Sequence, residues 1–400
     1  MEPLMITART LVSALGTGLA ATLAALRARQ SGLRPCDFAD IRHGYIGRVA
    51  EVEETVLPPA LAHFACRNNA LAAMALATDG FAEALARARA RYGPERIAVV
   101  VGTSTSGVLA TEEAYRQRDS ASGALPATFD FEHTHELGSL ARFVRAALRL
   151  SGPALTLSTA CASSARAFVD AAYLLATGVA DAAVVGGADS LCRLTLRGFS
   201  ALELVSPRPC RPCDAKRDGL SIGEAAGFVL LERAFAGQRS CPVALFGCGT
   251  SSDGHHLSAP HPEGAGAILA MRAALQSARL RPSSIDYINL HGTGTVANDA
   301  MEDKAVFAVF GDQVPVSSTK GFTGHTLGAA GIVEAIITTL AIEHRFLPGC
   351  LNVSEVDPFF RAEVLTENRN TEVRYALSNS FGFGGSNCSL IFGLAPSERA

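Results

Sequence analysis

Twice in this chain an apolar run leads through a turn of small and reactive residues into a helix rich in alanine and other small or apolar residues, and no other feature restricts the fold as much. The first copy is the run Leu155–Thr159, the turn Ala160-Cys161 and the stretch Ala162–Thr177, followed by a further apolar run, Ala182–Gly187. The second is Val314–Ser318, a Lys/Gly/Thr/His turn ending at His325, and a helix from about Leu327 to Glu343. Runs that are apolar throughout belong to strands covered on both faces, and Arg96–Gly102 is another. A helix that is apolar nearly all round lies at the centre of a body rather than on its surface. The pattern predicts an α/β protein of two pseudo-symmetric halves whose strand-to-helix turns meet, with the chemistry between them. Cys241-Pro242 marks the break, giving halves 1–242 and 243–400, and with no low-complexity linker between them one compact body is expected.

Close helix packing fits a charged content of 18%, against about 25% in an average domain. Thirty-five Lys and Arg stand against 38 Asp and Glu, a net charge of −3 with no basic block, which argues against nucleic acid as a partner. Leu11–Leu26 leans apolar, but Gly16 and Gly18 break it, and Glu2 stands where a signal peptide wants positive charge. A strand, turn and helix are expected there. No later segment offers 18 uninterrupted apolar residues, so membrane insertion is not expected. Ten cysteines at irregular spacings without a leader point to reduced thiols and a cytoplasmic location. Cys210-Arg-Pro-Cys213 lacks two further ligands at zinc spacing, and His255-His256 sit in a Ser/Asp/Gly-rich loop, so no metal site is expected.

Cys161 ends an apolar run and begins a helix, where the N-terminal amides favour a thiolate. Position alone leaves an ordinary buried cysteine open. His291-Gly292-Thr293-Gly294-Thr295 follows the strand Tyr287–Leu290, and Gly324-His325 closes the second repeat's turn. Two histidines, each in a Gly/Thr turn at a strand's end, are harder to explain as packing. Phe381-Gly382-Phe383-Gly384-Gly385-Ser386-Asn387 is either a glycine turn after a strand or a loop whose amide helps to stabilise an oxyanion.

Taken together, Thr159-Ala160-Cys161-Ala162-Ser163-Ser164, His291-Gly-Thr-Gly-Thr295, Lys320-Gly-Phe-Thr-Gly-His325-Thr-Leu-Gly-Ala-Ala-Gly and Gly382-Phe383-Gly384-Gly385-Ser-Asn387 resemble the four signature segments of the elongating β-ketoacyl-[acyl carrier protein] synthases. They come in family order and spacing, and the similarity takes in Arg217-Asp218-Gly219 and Gly223-Glu224-Ala225-Ala226-Gly227. The resemblance implies a thiolase-like fold in a layered αβαβα arrangement. It implies that Cys161 carries the acyl group as a thioester, and that His291 and His325 hold the malonyl thioester and promote decarboxylation. The Cys161 and Phe383 amides would form the oxyanion hole. Lys320 would organise the histidines with Glu334 as its counter-ion, and Glu302 and Asp299 would give structural support; the plainer alternative is a pair of solvated helix charges. Thr293, Thr295 and Gly384 are expected along the substrate path. No resident cofactor is implied, because substrates arrive on the phosphopantetheine of an acyl carrier protein. The implied assembly is a homodimer, or a heterodimer with a chain-length-factor paralogue.

Some residues depart from the family pattern. Cys213 stands where relatives usually have an aromatic residue, which reads as a packing variation. Thr105, in Gly102-Thr103-Ser104-Thr105-Ser106-Gly107, falls where many fatty-acid enzymes carry a bulky residue that limits the acyl pocket, so a wider gate is expected. This loop and the segment from Arg208 to Ala226 also look similar to ketosynthases of aryl polyene clusters. A thiolase would need a second cysteine near the C-terminus, where this chain has Gly384-Gly385-Ser386-Asn387, and an initiating-type enzyme would pair one histidine with an asparagine. A non-catalytic chain-length factor would lack the nucleophile. A malonyl carrier decarboxylase remains the other alternative, and Cys161 speaks for condensation.

Overall fold

A computed structural model describes residues 1–41, 44–234 and 242–395; the expected break residue Cys241 lies outside the described residues. The apolar runs form the strands that their composition demands. In the first half these are β1 (Leu4–Ser13), β2 (Ile97–Gly102), β3 (Ala154–Leu157), β4 (Ala182–Asp189) and β5 (Ala225–Arg233). In the second they are β6 (Val243–Ser252), β7 (Tyr287–Asn289), β8 (Pro315–Ser317), β9 (Glu363–Val364), β10 (Tyr375–Gly382) and β11 (Ser386–Leu394).

Reading outward from the centre, the first half runs β1-β5-β4-β2-β3 and the second β6-β11-β10-β7-β8, with β9 added at the far edge. In each half the three outer strands are parallel, and the two inner ones antiparallel to their neighbours. That identity of order and sense is the pseudo-symmetry expected from the repeated pattern. The two sheets also touch along one edge, where Leu4 and Met5 of β1 pair with Leu245 and Ala244 of β6.

Between the sheets lie the helices of the two repeats, α1 (Ser163–Ala176) and, after a 3-10 turn at Leu327–Ala329, α3 (Ala330–His344). Every residue of α3 from Ala330 to Ile342 is buried, whereas α1 leaves Tyr173 exposed. The span Leu327–His344 has the length and composition of a membrane-crossing helix, but 89% of it is packed inside the protein. The inner core joins Phe168, Val169, Ile332 and Ile336 to Val229 and Phe392. Outside one sheet, Leu71, Ala75, Phe143 and Val144 cover Val99 and Val184; outside the other, α2 (Val296–Phe310) and the helix Ala265–Ala278 cover Ile288, Val316 and Ile391. These make the five layers.

The central helices approach so closely that a Cβ on Gly331 would lie 2.4 Å from the Ala165 amide nitrogen and 2.7 Å from its Cβ. Ile332 N donates to Ser164 Oγ at 2.9 Å across the same contact. Glycine is required here for proximity. Gly331→Ala is expected to lower the denaturation free energy by about 1–3 kcal/mol, read as a reduced urea midpoint with an unchanged slope.

Candidate active site

Parallel strands deliver their chemistry at their C-terminal ends, where an open α/β sheet leaves a crevice. The chain after β3 turns sharply at Ala160, whose φ of +50° is left-handed, so that Cys161 precedes the first turn of α1. Cys161 is 6% exposed, and its Sγ lies 2.9 Å from His325 Nε2. The backbone N–H of Phe383, in the hairpin between β10 and β11, also points at this sulfur.

His325 is fixed through its backbone: its N–H donates to Ser221 O at 2.7 Å, and its carbonyl accepts from Gly223 N at 2.9 Å. His291 follows β7 and meets His325 edge to face, with ring centroids 5.3 Å apart. Glu302, on α2, accepts from the N–H groups of His291 and Gly292 at 2.8 Å each. Asn379 Nδ2 adds a third donor at 3.1 Å. Asp299 holds the Gly294 amide at 3.2 Å and the Cys213 amide at 3.0 Å. Lys320 Nζ donates to the His291 carbonyl at 2.5 Å and is bonded to Glu334 Oε1. Asp299, Glu302, Lys320 and Glu334 are all buried, so the reading of Glu302 and Asp299 as solvated helix charges is wrong: the turns they serve would otherwise hold unpaired amides.

Burial decides the protonation states. It pushes the Cys161 thiol up to about 12, against the pull of Lys320 and the Phe383 amide. Burial, then the Lys320 charge, hold both imidazoles well below the usual histidine range. Desolvation lifts the Glu302 and Glu334 carboxyls to about 7 despite their donors. Burial thus favours a neutral thiol on a neutral imidazole as the resting pair. Passing the thiol proton to His325 Nε2, over a distance already that of a hydrogen bond, would make the sulfur nucleophilic.

A cavity of about 270 Å³ opens over Cys161, His291 and His325. Thr293, Thr295 and Phe383 line it, and Phe383 stacks on Phe199 with centroids 5.4 Å apart. Gly384 is not in the lining; its N–H ties the hairpin to Leu257 O at 2.7 Å. Thr105 is likewise outside it. Its hydroxyl is turned onto the Asp189 carboxylate at 2.8 Å and is 1% exposed, so in this cavity it is no gate. Sequence reasoning missed Phe199 and Asp253, which line the cavity, gave no role to Asn387, which also lines it, and missed Asp189, which does not; the one available signal for Asp189 was a carboxylate ending an otherwise apolar strand. Cys210 bonds to the Lys320 carbonyl and Cys213 to the Cys350 thiol, so the two do not converge on one ligand point. His256 Nδ1 accepts from Ser258 N and Ala259 N and shapes its own exposed loop. The ligating atoms of Cys161, His291 and His325 lie within 4.8 Å of one another, near enough to share a soft cation or to surround one thioester.

The β-ketoacyl synthase N-terminal domain matches residues 1–236, and the corresponding C-terminal domain matches residues 243–354. A mitochondrial 3-oxoacyl-[acyl-carrier-protein] synthase of Arabidopsis thaliana is 43% identical over 60% of this chain, a match that spans only 56% of the plant protein's length. Nodulation protein E of Rhizobium meliloti is 37% identical over 74% of this chain and 75% of its own. The ketosynthase ApeO of Xenorhabdus doucetiae, solved in complex with its chain length factor ApeC, superposes with a TM-score of 0.89 at 40% identity, covering 98% of both chains.

The raised carboxyls give a stability prediction. Glu302 binds its proton more tightly folded, at about 7, than at its ordinary 4.5, so its contribution is fully present below about 4.5 and is lost as pH rises through about 7. Glu302→Gln should flatten the fall in urea midpoint between pH 5 and 7.5, removing a slope of at most about 1.4 kcal/mol per pH unit.

Proposed function

The chain belongs to the β-ketoacyl synthase family, and on that premise we propose that it is an elongating condensing enzyme, a 3-oxoacyl-[acyl-carrier-protein] synthase. The observation that carries the proposal is the 2.9 Å contact between Cys161 Sγ and His325 Nε2, with the His291 ring beside it. In the first half-reaction the Cys161 proton moves to His325 and the sulfur attacks the carbonyl of an acyl group on carrier phosphopantetheine. The oxyanion forms between the Cys161 and Phe383 amides, and the carrier thiol leaves with the proton. In the second, with the proton of His325 shifted to its Nε2, His291 and His325 donate to the malonyl thioester oxygen as carbon dioxide departs. The enolate so formed attacks the acyl-Cys161 carbonyl, the Cys161 sulfur leaves as a thiolate that regains a proton from water, and the product is a 3-oxoacyl carrier two carbons longer. Lys320, set between the His291 carbonyl and Glu334, keeps positive charge behind the histidines and helps to hold them neutral. Thr293 and Thr295, bonded to each other at 2.9 Å, form the wall along which the pantetheine arm would lie, and Gly384 closes the hairpin behind it.

The partners that follow are an acyl carrier protein and a second subunit. One edge of the sheet is β3, where Leu155 is 41% exposed, and a strand of the second subunit added there would continue the sheet. The second subunit is a chain-length-factor paralogue or another copy. The likeness to ApeO, whose structure contains such a factor, favours the first and a role in polyketide or aryl polyene rather than primary fatty acid synthesis. No resident cofactor is needed for these steps, the location is cytoplasmic, and the halves 1–242 and 243–400 act as one unit. The alternatives of a non-catalytic chain-length factor or a carrier decarboxylase leave the Cys161–His325 contact without a use.

Acyl carrier mixed with the protein should add the acyl mass to Cys161, and Cys161→Ala should abolish the addition. Malonyl carrier should then yield the 3-oxoacyl product. Acylation only with a chain-length factor present would assign the heterodimer. Carbon dioxide release without acylation, with or without that factor, would overturn the condensing assignment in favour of decarboxylation.

A further inference from the structure

One buried carboxylate outside the cavity gathers more donors than any residue the mechanism uses. Asp189, at the end of β4 and 0% exposed, accepts through Oδ1 from Thr103 Oγ1 at 2.7 Å, and from Ser104 N, Thr105 N and Thr105 Oγ1 at 2.8 Å each. Its Oδ2 accepts from Gly328 N at 2.5 Å and Ser104 N at 3.0 Å.

The direction of these bonds is settled by what surrounds them. Thr103 Oγ1 already accepts from Ser106 N at 3.1 Å, and Thr105 Oγ1 from Ser190 N at 3.2 Å. Both hydroxyl protons are thus left for Asp189. Each carboxylate oxygen also faces a backbone N–H, which cannot accept. Burial pushes the Asp189 carboxyl up, and the donors gathered on both of its oxygens, two hydroxyls among them, pull the other way and favour the anion.

The segments held are those that set the nucleophile. The Thr103–Thr105 loop donates from Ser104 Oγ to Ala160 O at 3.3 Å, and so braces the left-handed residue before Cys161. Gly328 lies three residues beyond His325 and opens the path into α3. A Cβ on Gly328 would stand 2.7 Å from Asp189 Oδ2 and 2.8 Å from Ser104 N, so this approach requires glycine. We propose that Asp189 is the positioning residue of the site, its single ionised carboxylate clamping the turn before Cys161 to the turn after His325. The proposal rests on the condensing reading for its rate effect only. Its charge has a second consequence: Lys320 favours a Cys161 thiolate, whereas Asp189 and Glu334 oppose it, so Asp189 helps to keep the proton on sulfur until His325 takes it.

Asp189→Asn keeps the volume, removes the charge, and turns an amide donor against the donors of the clamp. Two readouts separate positioning from general damage. Alkylation of Cys161 by iodoacetamide, followed by mass analysis of its peptide across pH, should shift its midpoint down by about one pH unit. Steady-state condensation should lose about tenfold or more in kcat, with KM for malonyl carrier changed less than about twofold. Thr105→Val removes one hydroxyl from the clamp but keeps the charge; it should lower kcat by about threefold and leave the alkylation midpoint in place. The alkylation arm needs no condensation, so it decides the proposal even where no 3-oxoacyl product forms. A wild-type alkylation profile in Asp189→Asn would overturn it, and where that variant is insoluble, an unchanged kcat in Thr105→Val would do so.

Discussion

The geometry of the site depends on the contact between α1 and α3 at Ala165 and Gly331. Each helix carries a reactive turn at its N-terminus, and only because the backbones nearly touch do Cys161 and His325 come within hydrogen-bond distance. The small-residue composition of both helices, which at first sight records only tight packing, is thus the condition for the chemistry. A larger residue at Gly331 would drive apart two turns that were made separately, 164 residues apart in sequence.

Such closeness carries an electrostatic cost. Lys320, Glu334, Glu302, Asp299 and Asp189 are all at most 2% exposed, and each buried charge needs partners or it neutralises. The partners are largely the backbone amides of the turns themselves: Glu302 holds His291 and Gly292, Asp299 holds Gly294, and Asp189 holds Ser104, Thr105 and Gly328. Lys320 is answered by the Glu334 carboxylate, and breaking such a buried pair costs about 3–5 kcal/mol. Turns rich in glycine and threonine have little side-chain mass to pack. Buried carboxylates do for them what an apolar core does for the strands.

That division explains what was legible. Cys161, His291, His325 and Phe383 each sit in a short turn after an apolar run, so one-dimensional pattern places them at strand ends, and the repeat places two of those ends together. The Lys320–Glu334 pair followed from the need to neutralise a buried ammonium. Asp189 was not legible, because nothing in a strand's periodicity says which loops its last residue will meet. Thr105 misled for the complementary reason: the resemblance assigned its position to the acyl pocket, but a hydroxyl next to a buried carboxylate turns to that acceptor and away from an apolar space. The start of α3 was also blurred, since Leu327 takes a φ of +52° and converts the first turn into a 3-10 segment.

A neutral thiol beside a neutral imidazole is well matched to the proposed reaction, in which the same sulfur would be first nucleophile and then leaving group. A standing thiolate would load quickly, but the positive charge that stabilised it would then hold an enolate formed beside it and blunt its attack. With the thiol pushed up by burial and the histidines held below their usual range, neither half-reaction begins from a stored charge. Charge appears only when a thioester oxygen is present to take it, and the Phe383 amide and the two imidazoles are already aimed at where it develops. Lys320 sits behind the histidines rather than in the cavity. From there it lowers their proton affinity without offering an enolate a trap, and its own partner is the Glu334 carboxyl.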